Sequence, residues 1–203
     1  MGDDMRLEWD RRYAQPGYLY GLEPNVFVAG VLGGLPPGRL LLPGEGEGRN
    51  AVWAARRGWT VDAVDQSTVG RDKALALAAR HGVAIRYDVA DLARAAFTPG
   101  AYDAVAVAFV HLPSAVRAAV HGRLAAALRP GGTLVMEVFS KDQLPLSTGG
   151  PKNPDMLYVP DDLRRDFATL RIDSLESLRV TLDEGALHRG EAAVLRLVAV
   201  RAG

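Results

Sequence analysis

The chain contains no cysteine. Neither disulfides nor thiolate metal sites can hold it together, and no cysteine nucleophile is available to any reaction. It also lacks an excess of either charge, because 24 basic and 24 acidic side chains cancel. The broad positive field that draws proteins onto phosphate backbones or anionic lipid is therefore missing, and neither nucleic acid nor membrane is expected as a partner. Long apolar runs are absent too. No stretch approaches the roughly 18 uninterrupted apolar residues of a membrane span, and the opening MGDDMRLEWDRRY lacks the apolar core of a secretory signal. A cytoplasmic location is the expectation. The four histidines, His81, His111, His121 and His188, stand apart from any carboxylate cluster with ligand spacing, so no metal site is expected. His81 and His188 read as surface residues.

What the chain does have is 203 residues with 48% apolar side chains, enough to fill the core of one domain. That domain is expected to span residues 1–203, with residues 1–35 as a distinct N-terminal segment rich in aromatics and turn residues and residues 39–203 as the core. GGLPPG marks the boundary. Beyond it, the apolar runs Leu40 to Leu42, Val61 to Val64, Ala104 to Val110 and Leu134 to Val138 show no alternation, as suits strands buried on both faces of a parallel sheet. Helical patterns lie between them at Asn50 to Arg57, Ser67 to His81 and Ser114 to Leu128. The last is expected to stop at Arg129-Pro130-Gly131-Gly132, which would turn into the next strand. A short helix over Asp161 to Phe167 precedes two long strand candidates, Ile172 to Leu182 and Ala192 to Val200, joined by DEGALHRG as in a hairpin. The fold class is α/β: a doubly wound, mostly parallel, seven-stranded Rossmann-like sheet ending in an antiparallel hairpin.

Sheets of this kind bind ligands outside the carboxyl ends of their strands. The first such end is LLLPGEGEGRNAVW. Glycine at 44, 46 and 48 lets a ligand lie close to the main chain, and the helix opening at Arg49 and Asn50 offers free N–H groups. The bland alternative is a tight turn and nothing more. In VDAVDQS, Asp65 ends the second strand, where its carboxylate could accept from both hydroxyls of a ribose, while Ser67 could cap the following helix. In YDVADL, Asp88 could meet the exocyclic amine of a purine with Val89 packed on the ring face, or be a solvated turn residue.

Together these segments resemble the class I S-adenosylmethionine-dependent methyltransferases over Arg39 to Val200. PGEGEG resembles the family's first motif, AVDQS the ribose-binding acid and YDVADL the adenine segment. YDAVAVAFVHL and LRPGGTLVMEVF are similar to the fourth and fifth strands. Pro43, RNAVWAARRG and WDRRYAQPGYLYGLEPN are closest to the tellurite-resistance and thiopurine methyltransferase subgroup, where such an N-terminal segment is a lid. The resemblance implies S-adenosyl-L-methionine as cofactor, held by Gly44, Glu45, Gly46, Gly48 and Asn50 at the methionine end. Asp65 would hold the ribose and Asp88 with Val89 the adenine, with Gln66, Ser67 and Phe109 as further cofactor-binding residues. His111, Tyr18 and Tyr20 would face the methyl group as catalytic residues. One departure stands out: the family's usual acid two positions before the glycines is Leu42 here, and Glu45 becomes the candidate partner of the methionine ammonium.

The expected activity is in-line methyl transfer to a small-molecule acceptor by a monomer or homodimer. That reaction needs alignment and a dry pocket with weakly polar walls more than it needs a covalent intermediate. His111 would be a polar contact or general base, or else the cap of the helix opening at Pro113 and Ser114. Two rivals share parts of the pattern. An NAD(P)-dependent oxidoreductase would have a third glycine where Arg49 or Ala51 stands. A non-catalytic S-adenosylmethionine sensor would keep the glycine turn and lose the acceptor pocket.

Overall fold

A computed structural model describes residues 2–185 and 187–203. Seven strands form one sheet in the order β3-β2-β1-β4-β5-β7-β6. They are β1 (Arg39–Pro43), β2 (Thr60–Asp65), β3 (Arg86–Val89), β4 (Tyr102–Ala108), β5 (Leu128–Phe139), β6 (Leu170–Asp183) and β7 (Arg189–Arg201). The first five run parallel, and β7 lies antiparallel between β5 and β6. The mostly parallel sheet with a terminal antiparallel hairpin is thus present as expected.

The non-alternating apolar runs are explained by what covers each face. Leu41, Val105 and Met136 point into one core with Val120 and Leu124 of α5 (Ser114–Ala127). Their neighbours Leu40, Leu42, Ala104 and Ala106 point into a second core with Ala51 and Ala54 of α3 (Arg49–Ala55). Since successive strand residues face opposite ways, a strand between two cores must be apolar throughout. Helix α4 (Thr68–Arg80) starts as anticipated at Ser67, whose side chain accepts the Gly70 N–H. Helix α6 (Pro160–Asp166) falls close to its expected place.

Two elements depart from expectation. Arg129 to Gly132 are not a simple turn: β5 already begins at Leu128, and its register with β4 jumps from Tyr102↔Leu128 to Ala104↔Thr133. The Pro-Gly-Gly residues are absorbed as a local irregularity of the strand. The N-terminal segment holds two helices, α1 (Gly2–Tyr13) and α2 (Val26–Gly33). The β-branched run VFVAGVLG favours a strand by propensity. Here Asn25 caps it, accepting the Val28 N–H, and burial of Val28 and Leu32 in the second core holds it helical.

Antiparallel β7 has a topological consequence. Val194 pairs with Phe139, the last residue of β5, so the beginning of β7 and the hairpin tip before it project past the carboxyl end of the parallel strands. That is the edge at which ligands bind in such sheets.

Candidate functional site

A cavity of about 600 Å³ opens at that edge, within the size range of small-molecule and cofactor sites. Its floor is the β1–α3 turn. Gly46 adopts φ 63° and is held from three sides: its N–H donates to Asp65 Oδ2 at 3.1 Å, its carbonyl accepts the Tyr87 hydroxyl at 2.6 Å, and a Cβ there would stand 2.5 Å from the Tyr13 hydroxyl. Gly48, at φ 90°, lets α3 approach α4, where a Cβ would lie 2.5 Å from that of Ala74. These two glycines shape the turn from behind, and only Gly44, Glu45 and Glu47 of the turn line the cavity.

Three buried carboxylates, two on the turn and Asp65 at the end of β2, have different partners. Glu47 accepts from Lys73 Nζ at 2.8 Å and from the Leu19 N–H at 2.6 Å. Asp65 accepts the Ser67 N–H at 2.9 Å as well as that of Gly46. Burial raises its pKa, against the pull of those amides. Glu45 accepts the Ala51 N–H at 2.7 Å and the Asn50 Nδ2 at 3.2 Å, and burial pushes it up to about 7.

The N-terminal segment roofs this end. Asp10 of α1 accepts from Ser67 Oγ at 2.6 Å and the Val69 N–H at 3.2 Å, while Trp9, Arg12, Tyr13 and Tyr20 line the cavity. Lys73 fastens the loop after α1 by donating to the carbonyls of Gln15 and Gly17 at 2.9 and 2.6 Å.

The opposite end is aromatic. Phe109 follows β4 with φ 54°, the only non-glycine residue with positive φ among those described, and its ring lies 4.6 Å from Phe139 and 4.5 Å from His188. Tyr20 packs on His188 from the other side at 4.6 Å. The wall from Ser147 to Lys152 is riveted to β7 by Gln143, which donates to Thr148 Oγ1 and accepts the Ala193 N–H at 2.8 Å.

Among the expected site residues, Tyr20, Gly44, Glu45, Asn50, Asp65, Gln66, Phe109 and His111 line the cavity. Gly46, Gly48, Ser67, Tyr18, Asp88 and Val89 do not. Ser67 is occupied as the cap of α4. The Tyr18 hydroxyl donates to the Lys73 carbonyl at 3.1 Å, and its ring packs on the outer face of α4. Asp88 is exposed and paired to Arg86 at 2.8 Å, so the cavity meets Ala90, Asp91 and Leu92 instead. The YDVADL segment is in place, but the strand runs on past its expected end and hands the contact to residues further along.

His111 lines the cavity with both ring nitrogens engaged. Nδ1 lies 2.9 Å from the Met156 carbonyl, which can only accept, so Nδ1 carries the proton. Nε2 then accepts the Phe139 N–H over 3.4 Å. Burial lowers its pKa to about 4, against the pull of the Met156 carbonyl. Nor does His111 cap α5, since Asp155 accepts the Ser114 N–H.

His188, expected on the surface, is instead 4% exposed and lines the cavity. Its Nδ1 is buried without a hydrogen-bond partner among the described residues, 3.8 Å from Glu184 Oε2. Burial lowers the His188 pKa, outweighing the pull of Glu184. Burial acts to raise the Glu184 carboxyl, but His188 and the Arg49 guanidinium, bonded to it at 2.7 Å, bring it down to about 2. The signal for His188 was topological: residues opening an antiparallel last strand fall at the carboxyl edge of its parallel neighbour.

Comparisons with known proteins agree with this architecture. Residues 41–132 match the family model described as a methyltransferase domain. The fold is shared with a protein solved in a study of the conversion of a disulfide bond into a thioacetal group during echinomycin biosynthesis (TM-score 0.78, 20% identity, covering 98% of this chain and 92% of that one). It is shared also with geranyl diphosphate methyltransferase in complex with its diphosphate and sinefungin (TM-score 0.75, 17% identity, 99% of each chain). TehB from Haemophilus influenzae is similar as well (TM-score 0.72, 14% identity, 97% of this chain and 66% of that one). A search of curated protein sequences finds no match.

Proposed function

Residues 41–132 match a methyltransferase domain, and on that premise we propose that the chain is an S-adenosylmethionine-dependent methyltransferase that transfers a methyl group to a small-molecule acceptor seated among Phe109, Phe139, Tyr20 and His188. The observation that carries this reading is that one cavity is lined both by Asp65 beside the glycine turn and by His188 among the aromatic rings. The cofactor supplies an electrophilic methyl group on a positively charged sulfur.

The residues fit such a cofactor. Each Asp65 oxygen accepts one backbone N–H, leaving lone pairs for the two ribose hydroxyls. Gly44 offers backbone without a side chain, and Ala90 to Leu92 bound the far end. The aromatic walls of the acceptor end exclude water, and charge dispersal in the transition state is favoured by such weakly polar surroundings. Acceptor smallness follows from the roof of α1 and the loop after it.

In this reading His188 is the group that meets the acceptor and takes its proton. A neutral imidazole of lowered pKa accepts at neutral pH, and Glu184 nearby stabilises the imidazolium once formed. His111, with both nitrogens engaged, holds the ends of β4 and β5 to the 154–156 turn. Mass-spectrometric screening for methylated products identifies the acceptor. His188→Ala should then lower turnover by 10²-fold or more, within the usual range for a general base, while affinity for S-adenosylhomocysteine stays unchanged. Full turnover in that variant removes His188 from the reaction.

A further inference from the structure

Four buried carboxylates, Glu45, Glu47, Asp65 and Glu184, lie around the cavity, and their partners differ. Asp65 has no cation beside it but accepts one backbone N–H on each oxygen, and in the reading above it takes the ribose hydroxyls. Glu47 is paired with Lys73, and Glu184 with Arg49. Glu45 is equally buried, at 7% exposure, and lines the cavity. Among the described residues, no cationic nitrogen lies within 4 Å of it; its contacts are the Ala51 N–H and the Asn50 amide. A buried carboxylate that borders a cavity and has no counter-ion is a seat for a cation brought by the ligand. Its position agrees. Glu45 lines the same cavity as Asp65, the proposed ribose contact, and as the aromatic residues of the proposed acceptor end. The apolar Leu42 occupies the place two positions before the glycines.

We propose that Glu45 is the counter-charge for the ammonium group of the cofactor's methionine tail, and that seating this cation expels a proton from the Glu45 carboxyl. The inference rests on the methyltransferase reading above. The balance is simple: a neutral carboxylic acid meets an ammonium that is already charged, the acid ionises, and its proton passes to the buffer. Arg49 draws the Glu45 carboxyl down through space, without bonding to it. Arg49 of α3 is committed to Glu184, and Tyr13 of α1 and Tyr87 of β3 are phenols driven upward by burial, hence neutral. On its own turn Glu47 is already paired, and Asp65 of β2 is a like charge. Burial raises Glu45 to about 7, so near neutrality a large share of the cofactor-free protein carries this proton.

Titration calorimetry with S-adenosylhomocysteine in two buffers of different ionisation enthalpy counts the proton. Release of roughly three quarters of a proton is expected at pH 6.5 and little at pH 8, following the fraction protonated. The affinity should tighten with pH, approaching tenfold per pH unit well below 7 and levelling above it. 5′-Methylthioadenosine, which has the nucleoside but no ammonium, should bind without proton release. Glu45→Gln keeps an oxygen for the Ala51 N–H and should abolish both the release and the pH dependence. It should weaken S-adenosylhomocysteine tenfold or more at pH 8 while leaving 5′-methylthioadenosine unaffected. Binding of S-adenosylhomocysteine without proton release, or an equal release with 5′-methylthioadenosine, would overturn the role of Glu45 and leave the cofactor reading intact. No binding of S-adenosylhomocysteine at any pH would overturn both. Should Glu45→Gln not fold, the wild-type comparison of the two nucleosides decides the matter alone.

Discussion

Asp65 Oδ2 accepts the Gly46 N–H at 3.1 Å, which ties the acid at the end of β2 to the glycine turn at the end of β1. Two segments that the chain separates by 19 residues thereby act as one rigid ledge. Asp10 extends the ledge to the roof, since it bonds the Ser67 hydroxyl two residues after Asp65. In the proposed reading, this chain of hydrogen bonds links the cofactor contacts to the roof.

That link predicts a response in the roof. Hydrogen exchange over residues 13–25 should slow when S-adenosylhomocysteine is added, because the loop closes on an occupied cavity. Lys73→Ala removes the donor that holds Gln15, Gly17 and Glu47, and should speed exchange over residues 14–20 and cofactor dissociation together. Equal exchange with and without the ligand would exclude a closing roof.

Phe109 offers a test of backbone strain. A bulky residue at φ 54° costs about 1–2 kcal/mol, whereas glycine adopts that conformation freely. Truncation to alanine loses the ring contacts and keeps the strain. Phe109→Gly should therefore be more stable than Phe109→Ala by about 1 kcal/mol in urea unfolding, the reverse of the usual order. The alanine variant being the more stable one would show the backbone to relax once the ring is gone.

His111 sets an acid-side dependence. Its pKa falls from 6.5 to about 4 on folding, so the folded state binds fewer protons than the unfolded chain between those values. The stability it contributes is full above pH 6.5 and is lost as pH falls through 4, about 3 kcal/mol in all. Glu45 has the opposite sign, since its rise from 4.5 to about 7 favours the folded state at low pH and is lost as pH rises through that window. The two oppose each other in the wild type. Relative to the wild-type profile, replacing His111 by glutamine should remove a rise in stability between pH 4 and 6.5, and Glu45→Gln should remove a decline between pH 4.5 and 7. Parallel pH profiles of all three proteins would refute both assignments.

Much of the sheet was legible because burial on both faces leaves an unbroken apolar run, as in Leu40 to Leu42, and because Ser67 caps its helix from the first residue. The cavity lining was legible where backbone geometry dictates residue type, at Gly44 and Asp65. It was not legible where the direction of a side chain decides. Asp88 and Asp91 are both acids after a strand, and only the length of β3 shows which meets the cavity. Tyr18 and Tyr20 sit two apart in an irregular loop, without a period to tell inward from outward. His188 needed the order of β7 in the sheet, and α2 needed the second core that overrides its β-branched propensity.

The ledge formed by Asp65 and the glycine turn is the centre of the account, and calorimetric titration of the wild-type protein beside Asp65→Ala tests it most directly. Hydrogen bonds to a charged acceptor are worth roughly 1.5–3 kcal/mol each, so losing the ribose contacts should weaken S-adenosylhomocysteine at least tenfold. NAD should not bind either protein. An unchanged dissociation constant for S-adenosylhomocysteine in the folded Asp65→Ala variant, or tight binding of NAD to the wild type, would contradict it.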